Sequence, residues 1–181
     1  RESVLLDRGD RNVYQWFSSR DGTLHGRVRV HMDDTVSLDI KDREGDRWRT
    51  LSHWQMHEDV SVLDFTPDES GLWLLSNRGR DRIALVELDL ASGLEKLVYE
   101  DPQVDIQSVF ISPQRRIPMA ALSFPDYPFT RALDSRTRMG LDTFKIQAHQ
   151  GLEILSMDHQ EKRWTVRVFD DRGAYYFLFN Q

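Results

Sequence analysis

Residues 59–101, DVSVLDFTPDESGLWLLSNRGRDRIALVELDLASGLEKLVYED, limit most strongly what this chain can fold into. Val60–Phe65 alternates apolar and polar residues and runs into the turn Thr66-Pro67-Asp68-Glu69-Ser70-Gly71. Residues 72–76 form a short apolar run that stops at Asn77-Arg78-Gly79. Residues 83–89 alternate again and end in Leu90-Ala91-Ser92-Gly93, and residues 94–99 close the series. Short runs rich in Val, Ile, Leu and aromatics, punctuated by Pro, Asp, Gly and Asn, predict an antiparallel meander, because those turn residues reverse an extended chain tightly.

A four-stranded meander of roughly 40–45 residues is the unit of a β-propeller blade. The rest of the chain repeats it. Residues 12–18, with Tyr14, Trp16 and Phe17, predict a strand that ends at Ser19-Arg20-Asp21-Gly22. Residues 24–30, 35–40 and 48–54 follow as strands, with the polar turn 41–46 before the last of them. Residues 4–6, between charges, predict an interrupted strand. A third unit spans 104–134. Its opening, DIQSVFIS, parallels DVSVLDFT, and Ser112-Pro113 parallels Thr66-Pro67. Its next strands are 117–124 and 127–133, with Pro118 and Pro125 confining them to edges or turns, since proline cannot donate to a ladder. Residues 138–149 fit neither period and predict one short inserted helix stopped by Gly151. Strands at 153–157, 163–169 and 174–179 make a fourth unit. The expected fold is all-β, a partial propeller of about four blades of four-stranded meanders, with 1–181 as a single propeller segment.

At 181 residues, 39% hydrophobic and 30% charged, the chain has the composition of a soluble globular domain. Five Trp, nine Phe and five Tyr predict a packed core. The net charge of −6 argues against nucleic acid as a partner, because phosphate binding needs a positive surface. No stretch approaches the ~20 apolar residues that span a bilayer, so no membrane partner is expected. The absence of Cys removes thiol chemistry but leaves the compartment open between cytoplasm and periplasm. The chain opens on Arg1 without an initiator Met, so it reads as a segment truncated from a longer polypeptide.

Phe65-Thr66-Pro67-Asp68, then Leu72, Ser76-Asn77-Arg78-Gly79-Arg80-Asp81 and Ala84-Leu85 resemble the propeller blades of the prolyl oligopeptidase family of serine peptidases, in particular its acylaminoacyl-peptidase and dipeptidyl-aminopeptidase branch. Leu97-Val98-Tyr99-Glu100-Asp101-Pro102, Ser108-Val109-Phe110, Ile154-Leu155-Ser156-Met157-Asp158, residues 163–168 and Tyr175-Tyr176 are similar to the same branch. The resemblance implies a propeller that narrows peptide access to a C-terminal α/β-hydrolase domain carrying a Ser–Asp–His triad. This chain has no G-x-S-x-G elbow, so it departs from the family in its catalytic half. The expectation is a non-catalytic segment with no catalytic, metal or cofactor residues of its own. Its partners would be the hydrolase domain and, in the full-length enzyme, peptide substrates. The alternative is a stand-alone β-repeat interaction module. Unpaired blade faces and edges also predict self-association.

Other constellations admit blander readings. His53 and His57 stand at a metal-capable spacing but in a strand–loop context, which favours surface histidines. Residues 77–82 (NRGRDR) read as a solvated basic turn, and Asp7-Arg8-Gly9-Asp10 and Asp170-Asp171-Arg172-Gly173 as strand-connecting turns that lack EF-hand spacing. Trp16, Trp48, Trp54, Trp73 and Trp164 read as packing between adjacent sheets. Asp64 and Asp105, near blade starts, are open between facing a central channel and capping a turn.

Overall fold

The computed structural model describes residues 3, 5, 11–22, 25–41 and 47–180. The run at 4–6 and the turns at 7–10 and 41–46 lie wholly or mostly outside the described residues. Two compact units divide the chain, Arg1–Glu58 and Asp59–Gln181.

The first unit is one antiparallel meander of β1 (Val13–Ser18), β2 (His25–Val30), β3 (Thr35–Lys41) and β4 (Trp48–Gln55), in that order. Alternation places Val36, Leu38 and Ile40 of β3 on one face, and all three are buried. The polar residues between them, Ser37 and Asp39, are buried too. Arg27 of β2 lies directly across from Asp39 and reaches its carboxylate, which makes burial of the acid tolerable.

The second unit begins with a four-stranded meander, β5 (Val60–Phe65), β6 (Gly71–Ser76), β7 (Ala84–Asp89) and β8 (Glu95–Tyr99). Strand β6, GLWLLS, is buried at every position. Two three-stranded sheets follow: β9 (Ile106–Ile111), β10 (Pro118–Ser123) and β11 (Phe129–Ala132), then β12 (Gly151–Met157), β13 (Arg163–Asp170) and β14 (Gly173–Asn180). Two sheets therefore have the expected four strands and two have three. After β11 the chain enters the helix α1 (Ser135–Asp142) instead of a fourth strand.

The helix begins and ends earlier than the pattern at 138–149 predicts. Asp134 sets its start, accepting hydrogen bonds from the Thr137 backbone N–H (2.9 Å) and hydroxyl (2.6 Å). Thr143 closes it, and its hydroxyl donates to the Gly140 carbonyl. Gly151 is not the stop signal; it opens β12. A Cβ there would sit 2.5 Å from Pro128 and 2.6 Å from Phe169, so close approach explains the glycine. Pro118 is also placed differently from the expectation, because it lies in a central strand. As the first residue of β10, beside an irregularity in the pairing with β9, it costs the ladder little.

Within the second unit each sheet packs on the next. Trp73, Leu75 and Leu85 of the β5–β8 sheet meet Ile106 and Ala121 of the β9–β11 sheet. Met119 and Ala120 join Leu152, Ile154, Trp164, Val166 and Val168 of the last sheet in a second core.

Candidate functional site

The first turn of each sheet in the second unit carries a residue with left-handed backbone: Glu69 (φ 57°), Arg116 (φ 55°) and Glu161 (φ 55°). These turns bind neighbouring sheets together. Arg116 donates through Nη1 to Glu69 at 3.0 Å, and its Nε lies 3.6 Å from Asp64. The Arg116 carbonyl accepts the Trp73 indole N–H at 2.7 Å. Arg115, one residue earlier, donates through Nε to Glu161 at 2.7 Å. The buried Glu161 carboxylate also accepts from the Ser112 hydroxyl, and Arg136 of α1 lies 3.7 Å away. Burial opposes ionisation of Glu161, but the bonds from Ser112 and Arg115 and the charges of Arg115 and Arg136 more than offset it. Its pKa therefore lies below the usual carboxylate value. The cluster is structural, since its carboxylate is enclosed and already paired.

The residues singled out by sequence fall mostly into turns and cores. Asp64 pairs with Arg116 and accepts from the Phe65 N–H at 2.7 Å. Asp105 accepts from the Ile83 N–H at 2.7 Å and so clamps the approach to β7. The basic turn at 77–82 folds onto one carboxylate, with Arg78 and Arg80 each 3.2 Å from Glu95. This pairing removes much of its appeal to a polyanion. Asp170 accepts from the N–H groups of Arg172 (2.9 Å) and Gly173 (3.2 Å), the bonding of an Asx turn. Asp7, Arg8, Gly9 and Asp10 lie outside the described residues. His53 is exposed on β4, His57 is exposed in the turn after it, and no metal-capable cluster of His, Asp or Glu occurs among the described residues.

Trp73 and Trp164 pack between sheets as expected, and Trp54 is buried in the first unit. Trp16 and Trp48 differ. They meet edge to face at 5.6 Å within the first unit, Trp16 is 46% exposed, and the Arg27 guanidinium stacks 4.1 Å from the Trp48 ring. Cation–π stacking fits a guanidinium already engaged with the buried Asp39, which also accepts from Arg29 at 2.7 Å and Thr50 at 2.9 Å.

Sequence reading missed two features. His31 and Ser37 share a 2.8 Å hydrogen bond. The Ser37 hydroxyl lies inside strand β3, however, and the nearby Asp33 carboxylate accepts from Thr35. A nucleophile needs an exposed hydroxyl and a base oriented by a third group, so the pair reads as strand anchoring. The second feature is a cleft of about 620 Å³ between the β10–β11 and β13–β14 turns. Phe124 and Phe169, 6.3 Å apart, and Tyr127 supply its aromatic surface, and Asp126, Asp170 and Asp171 supply carboxylates. His149 and Arg172 also line it, so its surface is aromatic and of mixed charge. Only its three-dimensional closure joins these turns, which lie about forty residues apart in sequence.

No family model matches the chain. Dipeptidyl aminopeptidase BIII of Pseudoxanthomonas mexicana is 25% identical over 118 residues, which cover 61% of this chain and 16% of that protein. Among solved structures, a puromycin-hydrolyzing peptidase of Mycobacterium tuberculosis aligns with a TM-score of 0.55 at 13% identity, over 97% of this chain and 30% of that one. TolB from Acinetobacter baumannii aligns with a TM-score of 0.51 at 13% identity, over 91% of this chain and 42% of that one. The chain thus spans less than half the length of each of these three proteins. Together with the four antiparallel sheets, these likenesses show the fold: an all-β chain of propeller blades, related in sequence to part of a dipeptidyl aminopeptidase.

Proposed function

We propose that the chain is the non-catalytic propeller segment of a prolyl-oligopeptidase-like serine peptidase, of the acylaminoacyl or dipeptidyl type. In this reading it gates peptide entry to an α/β-hydrolase domain encoded elsewhere in the same protein. The observation that carries it is the partial sequence likeness to dipeptidyl aminopeptidase BIII on a chain whose sheets have propeller topology. The chemistry of the whole enzyme would be acyl transfer from a His-activated Ser, with backbone N–H groups holding the oxyanion. This segment would contribute access, not bond breaking.

Reading the gene beyond codon 181 tests the proposal. A G-x-S-x-G followed by Asp and His is the expected result; an immediate stop codon would overturn it. The purified 181-residue chain should not hydrolyse aminoacyl or ester substrates, and turnover that persists through repurification would also count against it. The alternative is a stand-alone β-repeat interaction module, which the stop codon would support.

A further inference from the structure

The spaces between neighbouring sheets of the second unit are closed differently at the end where the second and third strands join. Between the β5–β8 and β9–β11 sheets, the linking residues 101–105 bind to both neighbours. Asp105 accepts from the Ile83 N–H at 2.7 Å, and the Gln103 carbonyl accepts from Arg82 at 3.1 Å. The buried Asp101 carboxylate accepts from the hydroxyl of Ser123, the last residue of β10, at 2.9 Å. That space is filled by the chain itself. Between the β9–β11 and β12–β14 sheets the link is longer, carries α1, and leaves the cleft of about 620 Å³ open. Among the described residues no hydrogen bond or ion pair ties 124–128 to the opposite wall; the Phe124 and Phe169 rings meet across it instead.

The walls of this cleft are nonetheless held in shape. Arg167 stacks 4.3 Å from the Phe169 ring, and Gly151 lets that ring lie where a Cβ would come within 2.6 Å. The Asx turn at Asp170 fixes the backbone that presents Asp171 and Arg172. The Gln150 N–H donates to the Gln147 carbonyl at 2.9 Å and the Gln147 N–H to the Gln150 side chain at 3.1 Å, closing the loop that carries His149. Walls fixed in this way lose little freedom when a ligand enters. The side chains of Asp126 and Tyr127 on one wall, and of Asp171 and Arg172 on the other, have no hydrogen-bond or ion-pair partner among the described residues.

We propose that the cleft binds an aromatic zwitterion of dipeptide size. Its ring seats among Phe124, Phe169 and Tyr127, its ammonium lies beside Asp126, and its carboxylate meets Arg172. Aromatic side chains favour a ring as their neighbour, and a planar guanidinium matches a carboxylate through two parallel N–H donors. The mixed charge supplies the selection. A ligand carrying only an ammonium meets Arg172, and one carrying only a carboxylate meets Asp126 and Asp171, so a ligand with both charges is preferred to either. The volume lies within the roughly 300–1,000 Å³ of small-molecule sites. Every lining residue falls within 124–172, so the site makes no use of the outer side of β14. It needs no hydrolase domain either, and so goes beyond the access role proposed above.

An NMR titration of the 181-residue chain with the dipeptide Ala-Phe tests this. Saturable binding is expected, with a Kd on the order of 0.1–1 mM, as suits a small ligand in an open cleft. Ala-Ala lacks the ring and N-acetyl-phenylalanine amide lacks both charges, so each should bind at least about fivefold more weakly. Phe124→Ser, Asp126→Asn and Arg172→Gln should each weaken Ala-Phe binding at least about threefold. Met139→Lys, at an exposed position on α1, should leave it unchanged. Thermal unfolding checks that each variant keeps the fold, and the exposed positions of Asp126 and Arg172 keep the test available should Phe124→Ser unfold. No saturable binding up to about 10 mM would overturn the proposal. So would equal binding of Ala-Ala or of the blocked amide, or indifference to the cleft variants that fold.

Discussion

Arg115 and Arg116 are adjacent in the chain, yet their guanidinium groups engage different sheets. Arg116 reaches back to Glu69 in the preceding sheet, and Arg115 reaches forward to Glu161 in the following one. The two residues hold three sheets together from a single turn. Removing each should therefore loosen a different neighbour. Arg115→Met leaves the buried Glu161 carboxylate short of its main partner and should cost about 3 kcal/mol, as breaking a buried ion pair does. Arg116→Met leaves a carboxylate, Glu69, that is less enclosed than Glu161 and should cost about 1–2 kcal/mol. Amide exchange should separate them: faster exchange in β12–β13 for the first, faster in β5–β6 for the second. The same pattern from both variants would contradict the division of labour.

Gly140 tests packing against propensity. Alanine is the better helix former by ~1 kcal/mol, so Gly140→Ala would stabilise an exposed helix. Here the new Cβ would lie 2.6 Å from the ring of Trp164, which is fully buried. The clash should reverse the sign and give a net loss of about 1–3 kcal/mol by chemical denaturation. Trp164→Leu should cost about 2–4 kcal/mol alone, and combined with Gly140→Ala less than the sum of the two.

Acid should unfold the protein through its buried carboxylates. Burial works against ionisation of Asp39, Asp101 and Glu161, but hydrogen bonds from Thr50, Arg27 and Arg29, from Gln103 and Ser123, and from Ser112 and Arg115 more than offset it. The native pKa of each is therefore below its unfolded value. Stability from these groups is complete above about pH 5 and declines as pH falls through the native values. Melting temperature should be flat above that point and drop below it, and Glu161→Gln should make the drop shallower while lowering the plateau.

The strands were legible because alternation and turn chemistry agree locally. Val60–Phe65 needs nothing beyond its own pattern and the Pro-Asp turn that follows it. The helix start was misplaced because Asp134-Ser135 resembles the polar end of a strand unit, and only the bond from Asp134 to Thr137 reveals a cap. A missing donor points Pro118 to an edge or a turn, but its place at a strand's first residue depends on register, which sequence does not display. Ion pairs such as Glu69–Arg116 join residues nearly fifty positions apart, and neither residue type signals its partner. The aromatic–carboxylate cleft was invisible for the same reason. Asp64 and Asp105 were recognised as notable, and their bonds assign both to holding the chain in place.

The left-handed backbone at Glu69, Arg116 and Glu161 has one more consequence. Glycine would satisfy each of those turns with less conformational cost, since its backbone enters that region freely. At these positions the chain keeps long charged side chains instead, and each spends its reach on an adjoining sheet. Local ease is sacrificed for lateral grip, so sheet-to-sheet cohesion here resides in corners that a backbone-only view would mark as the weakest points of the fold.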